Sequence, residues 1–177
     1  MRSFVSIVAL LCSFVAIAPA HAQTRSDVDV TRPADVEISP FVSLGSDPSS
    51  RIGVAIRFAW LSNLSVEAEV GYRRGESDAL SATASLLYDL PRLGRAIPYL
   101  AAGAGLEEYT TAFAAPGGRV ITQSRATFTV NAGGGVRVPV NDAWGIRADA
   151  RWSNGLAQFA PEHWRVYNAV TFRPRAR

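Results

Sequence analysis

Residues 64–72, LSVEAEVGY, alternate without a break: Leu64, Val66, Ala68, Val70 and Tyr72 fall on one side, Ser65, Glu67, Glu69 and Gly71 on the other. Successive side chains of a strand point to opposite faces, so this stretch predicts a β-strand with one apolar face and one acidic face. The same period of two recurs in eight runs, at 36–44, 52–60, 64–73, 80–90, 97–109, 125–140, 144–153 and 164–172. The run 52–60 sets Ile52, Val54, Ile56, Phe58 and Trp60 against Gly53, Ala55, Arg57 and Ala59, and 144–153 sets Trp144, Ile146, Ala148, Ala150 and Trp152 against Gly145, Arg147, Asp149 and Arg151. In 97–109, Leu100, Ala102, Ala104 and Leu106 oppose Tyr99, Gly103, Gly105 and Glu107. In 36–44 Pro40 interrupts the run, and in 164–172 Asn168 is a polar exception on the apolar side. Past residue 22 no long window carries a helical period, so the chain reads as all-β.

Runs of this length match the roughly 9–11 residues with which a tilted strand crosses a bilayer. Their number is even, and the connections predict short turns on one rim (after 60, at 91–96 and around Asn141-Asp142) and longer loops on the other, at 46–51, 74–79, 110–124 and 154–163. That asymmetry is the arrangement of an outer-membrane barrel. The expected fold is a closed eight-stranded antiparallel up-and-down transmembrane β-barrel over 36–172.

Charges sort onto one face of every run. Glu37, Arg57, Glu67, Glu69, Arg73, Asp89, Glu107, Arg137, Arg147, Asp149, Arg151 and Arg165 all lie opposite the apolar residues. In a membrane barrel these line the lumen. Eight strands enclose a space that side chains can fill, so six acids and six arginines predict a packed ionic network, not a channel. Buried charges require that pairing. In a soluble exported barrel binding an apolar ligand, the same charges would face solvent. Aromatic positions favour the membrane. Threaded up and down, the chain places Trp60, Tyr88, Trp144 and Phe172 at one end of the apolar faces, and Tyr72, Phe128, Trp152 and Trp164 at the other. Two aromatic girdles around a Val, Ile, Leu and Ala band are what two membrane interfaces select.

The N-terminus adds an export signal. Arg2 precedes the apolar run 4–18, and Ala20-His21-Ala22 is a cleavage site, so 1–22 reads as a cleaved signal peptide, 23–35 as a polar periplasmic tail and 173–177 as a basic C-terminal tail. The single cysteine, Cys12, lies in the segment removed, leaving no disulfide or thiolate metal site. Every basic residue is arginine, and the net charge of +3 is interspersed along the chain, which argues against nucleic acid. No residue pattern calls for a cofactor or a metal.

With the runs laid out, IPYLAAGAGLEEY (97–109), GGGVRVPV (133–140), WGIRADARW (144–152) and the closing VTF (170–172) resemble the small eight-stranded outer-membrane β-barrel proteins, the class of OmpA-type domains, OmpX-like proteins and opacity-type adhesins. The resemblance implies an outer-membrane location, contact with outer-membrane lipid and lipopolysaccharide, insertion by the barrel assembly machinery through the last strand (Val170 and Phe172), a monomer, and a structural or adhesive role through the outer loops. The last strand departs from the pattern with Tyr167, where glycine is usual. RWSNG (151–155) partly resembles the His-x-Ser-Asn motif of eight-stranded lipid A deacylases: Ser153 and Asn154 fit, but Arg151 stands in the place of the histidine and cannot act as a base. His163 lies on the following loop. No catalytic residue is therefore expected, with lipid A deacylation kept as an alternative.

Overall fold

The computed structural model describes residues 36–45, 50–75, 77–114, 116–156 and 162–174; the expected signal peptide, the tail 23–35 and residues 175–177 lie outside them. Eight strands follow in order: β1 (Val36–Gly45), β2 (Arg51–Ala59), β3 (Leu64–Arg73), β4 (Ser77–Asp89), β5 (Ile97–Ala114), β6 (Val120–Pro139), β7 (Trp144–Gly155) and β8 (Glu162–Phe172). Each pairs antiparallel with its successor, and β1 pairs with β8, so the sheet closes into a barrel in sequence order. Closure gives every strand a neighbour on both sides within the ring, so the ring has no edge strand. The β1–β8 ladder skips one stretch, passing from Ile38↔Phe172 to Phe41↔Ala169. Pro40 sits there and has no N–H to give.

The two ends of the barrel differ. At the terminus rim the chain enters at Val36 and leaves at Phe172, with connections at 60–63, 90–96 and 140–143; at the distal rim the connections are 46–50, 74–76, 115–119 and 156–161. Local chemistry sets these turns. Asn141 Oδ1 accepts the amide hydrogens of Ala143 (2.9 Å) and Trp144 (2.8 Å), fixing the β6–β7 turn. In the β5–β6 connection, Gly117 and Gly118 take φ of +88° and +78°, the left-handed region that favours glycine.

The expected loop boundaries need correction. Residues 110–124 are not a long loop: β5 runs on to Ala114 and β6 begins at Val120. The predicted contrast between short turns and long loops therefore shrinks to a few residues, and what distinguishes the distal rim is strand length. Beyond Thr111 β5 has lost its partner β4, and before Thr129 β6 has lost β7, so both faces of the projecting hairpin meet solvent. A strand exposed on both faces is under no pressure to alternate, which is why the pattern failed to reveal it. Arg51 opens β2 and Ser77 opens β4, so neither belongs to a loop.

The interior is polar. Most of the expected lumen charges are buried, together with Ser39, Ser65, Ser85, Thr129 and Asn131, and Arg73 and Asp89 are part-buried nearer the rims. Ile52, Leu100, Ile146, Val166 and Val170 are exposed outward. The charged faces turn in and the apolar faces turn out. This is the reverse of a soluble barrel with an apolar cavity.

Candidate functional site

Glu67 in β3 and Arg147 in β7 stand on opposite walls, four strands apart either way around the ring. Arg147 is bonded to Glu67 across the lumen and reaches Asp149 Oδ2 at 2.8 Å. Arg151 reaches Glu67 Oε1 at 2.6 Å and Asp149 Oδ1 at 3.1 Å. All four side chains are 0% exposed. Two tyrosines complete this middle layer. The Tyr99 hydroxyl accepts from Arg147 Nε (2.6 Å) and donates to Asp149 Oδ2 (2.5 Å), while the Tyr167 hydroxyl accepts from Arg147 Nη2 (2.6 Å) and Arg151 Nη2 (2.9 Å). The guanidinium groups of Arg147, Arg151 and Arg165 also lie 5.2, 5.5 and 5.6 Å from the Tyr167 ring centre, a favourable cation–π geometry.

Room for this layer comes from glycine. Tyr99 pairs with Gly135, which in turn pairs with Asp149, so the tyrosine passes over the glycine to reach the acid one strand further on. A Cβ at Gly135 would fall 2.5 Å from the Tyr99 hydroxyl. In the same way Phe41 covers Gly53 and packs against Tyr167 with ring centres 4.9 Å apart.

Toward the distal rim, Arg165 grips Glu69 at 2.5 and 3.2 Å, and Arg151 Nη1 lies 3.7 Å from the same carboxylate. Above it Arg51 is bonded to Glu107 and donates to Ser81 Oγ at 2.9 Å, while Arg73 lies over the Tyr109 ring at 5.7 Å. Toward the terminus rim, Asp89 Oδ2 accepts from both Arg57 (2.8 Å) and Arg137 (2.7 Å), and Glu37 Oε2 accepts from Arg137 (3.3 Å) and Arg173 (3.1 Å). Arg57 Nε donates to Ser65 Oγ at 2.6 Å.

These contacts answer an electrostatic problem created by the ladder itself. Arg151 sits directly opposite Arg165, and Arg147 opposite Arg137. Like charges in that relation repel. Glu69 from β3 lies between Arg151 and Arg165, while Arg147 turns to Glu67 and Asp149 and Arg137 turns to Glu37 and Asp89. The acids offset the repulsion, and because the interior is desolvated each such contact is stronger than it would be in water.

The twelve charges singled out in the sequence thus occupy three layers of one lumen. Sequence reasoning missed Arg51, assigned to a loop, and Arg173, assigned to a tail. Both continue the odd-numbered parity of the charged face, Arg51 ahead of Arg57 and Arg173 after Arg165, and that parity was the available signal. It also missed Tyr99 and Tyr167 as polar partners, though both lie on the charged side.

Around the outside, Trp60, Tyr88, Trp144 and Phe172 ring the terminus end, with Trp144 and Phe172 in ring contact at 4.7 Å. Tyr72, Phe128, Trp152 and Trp164 ring the distal end, where Trp152 and Trp164 are ladder partners. The model of one protein family, the outer membrane protein beta-barrel domain, matches residues 7–158. The chain belongs to that family. Its apolar girdled surface is accordingly the lipid-facing one. Among solved structures, this outer-membrane barrel is similar to the N-terminal β-barrel domain of Pseudomonas aeruginosa OprF (16% identity, 79% of this chain and 97% of that one, TM-score 0.64). It is also similar to a major outer membrane protein of Thermus thermophilus (10% identity, 80% and 100%, TM-score 0.66) and to the outer membrane enzyme PagL (17% identity, 77% and 98%, TM-score 0.51). At these identities the likeness is one of fold. No curated protein matches the sequence.

Arg151 and Ser153 of the partial deacylase motif point into the barrel. Ser153 is buried, and its ladder partner on β8 is His163. Asn154 pairs with Glu162 on the other face, where Glu162 accepts from Trp152 Nε1 at 2.5 Å. Arg151, in the place of a base, is held in the middle layer by Glu67 and Asp149.

Proposed function

We propose that this outer-membrane barrel is a closed, monomeric wall element that acts by contact at its distal rim, in the manner of an adhesion or envelope-integrity protein. The observation that carries the reading is the β5–β6 hairpin, which continues past the Leu106↔Phe128 level of the girdle and exposes Phe113, Val120 and Ile121. Apolar side chains held out beyond the lipid-facing belt on a two-stranded ribbon are a contact surface. With the girdles spanning the bilayer, the terminus rim faces the periplasm and the hairpin faces outward, among lipopolysaccharide. The lumen supports a structural role: its three charged layers tie opposite walls together and leave the centre without solvent. The closing strand, with Val170 and Phe172 outward, fits the part read by the barrel assembly machinery.

The reading includes no catalysis. A guanidinium stays protonated and takes no proton from a serine, so Arg151 offers Ser153 no base.

Replacing Phe113 and Ile121 by serine in cells that display the protein is the direct test. Attachment to abiotic or cellular surfaces, or cell–cell aggregation, should fall several-fold while the amount of folded barrel is unchanged. Undiminished attachment would refute the contact role and leave envelope integrity, measured as detergent and bile-salt sensitivity of a strain lacking the protein.

A further inference from the structure

The lumen is not uniformly paired. At the terminus rim lies a small polar cavity of about 180 Å³, bordered by Arg57, Arg92, Arg137, Arg173, Glu37 and Asp89. Among the described residues its charge is unbalanced, with four arginines around two carboxylates. Each carboxylate already serves two guanidinium groups through one oxygen: Asp89 Oδ2 binds Arg57 and Arg137, and Glu37 Oε2 binds Arg137 and Arg173. The remaining atoms are left over. Among the described residues, Arg57 Nη1 and Arg137 Nε are buried donors with no hydrogen-bond partner, and Glu37 Oε1 and Asp89 Oδ1 are buried acceptors with none. The side chains of Arg57 and Arg137 are only 7% and 8% exposed.

Unsatisfied buried polar atoms are rare in native proteins, and each calls for an occupant. Water could bond to all four atoms, but it would leave the excess of positive charge in place. A dianion would cancel it. The mixture of leftover atoms narrows the chemistry further. A fully deprotonated anion satisfies the two arginine donors and repels the two carboxylate oxygens. A protonated oxyanion satisfies both, accepting from arginine and donating its own O–H to a carboxylate. Guanidinium groups bind phosphate oxygens with strong charge-assisted bonds.

We propose that this mouth is a binding site for a hydrogen phosphate group, held by Arg57, Arg137 and Arg173, with Arg92 at the entrance and its O–H given to Asp89 or Glu37. The site is on the opposite rim from the proposed contact surface and does not depend on that role. The group can come from free phosphate or from a lipid phosphomonoester reaching the rim, and the two sources share the same chemistry.

The test is calorimetric titration of the full-length, membrane-extracted protein in detergent with inorganic phosphate, with sulfate, and with dihexanoyl phosphatidic acid. Saturable phosphate binding at least tenfold tighter than sulfate is expected. Arg57→Gln and Arg137→Gln should each weaken phosphate at least tenfold. Arg173→Gln, at a half-exposed position where folding is not at risk, should weaken it several-fold with the heat-dependent gel mobility of the folded barrel retained. Tighter binding of the lipid than of inorganic phosphate would assign the headgroup as the source; equal or weaker binding would assign free phosphate. The proposal is overturned if neither phosphate compound binds saturably, if sulfate binds as well as phosphate, or if Arg173→Gln leaves the affinity unchanged.

Discussion

Arg57 and Glu67 are direct ladder partners on β2 and β3, both pointing into the lumen, yet among the described residues no ion pair joins them. Glu67 instead crosses the barrel to Arg147 and Arg151, and Arg57 turns toward the terminus rim to Asp89. The carboxylate thereby bridges two arginines from the far wall, and with Asp149 it balances their charge. Had it paired with its neighbour, Arg147 and Arg151 would have been left with Asp149 as their one shared acid in the middle layer.

Glu67→Gln keeps the shape of the side chain and removes its charge. It should destabilise the folded barrel by about 3–5 kcal/mol, the usual cost of leaving buried partners uncompensated. The gel mobility shift on heating would then occur at a distinctly lower temperature. Glu108→Gln, on the outward side of β5, provides the comparison and should leave the transition nearly unmoved.

Gly135→Ala tests the close approach that the middle layer needs. A methyl group there meets the Tyr99 hydroxyl and the Ala148 carbonyl, and overpacking of this kind costs roughly 1–3 kcal/mol. Near-ultraviolet circular dichroism should show the disturbance of Tyr99, and denaturant titration should show the loss of stability. An unchanged aromatic signal would mean that Tyr99 does not depend on this gap.

Val54 faces outward in the middle of β2. Val54→Arg should cost about 2–4 kcal/mol when folding is measured in lipid bilayers, because a guanidinium at that depth is poorly solvated. A soluble barrel would accept the change at its surface with little effect. Folding titrations in vesicles separate the two outcomes.

The 0% exposure of Glu67, Arg147, Asp149 and Arg151 predicts that the intact protein produces no stepwise conductance in planar bilayers. Regular unit steps from the purified wild-type protein would show that the layer opens. The partial motif around Ser153 has its own check: Ser153→Ala and His163→Ala should leave the acylation pattern of lipid A, read by mass spectrometry, identical to that with the wild type. A difference would reinstate hydrolysis.

The period of two was enough to determine the fold class, the strand order and the face on which each charge lies. It is a local property: a strand flanked by lipid on one side and a packed lumen on the other must alternate at every step, and a single slip would expose a charge to lipid. Parity alone would have extended this reading to Arg51 and Arg173. The tertiary structure decided which charges meet. Glu67 belongs with Arg147, eighty residues away, because closing and tilting the sheet brings β3 across from β7, and no local pattern encodes that relation. It also decided the length of the β5–β6 hairpin, where both faces are wet and no alternation is required. The tertiary structure also gathered the leftover atoms of Arg57, Arg137, Glu37 and Asp89 at one rim, since these four residues lie on four different strands.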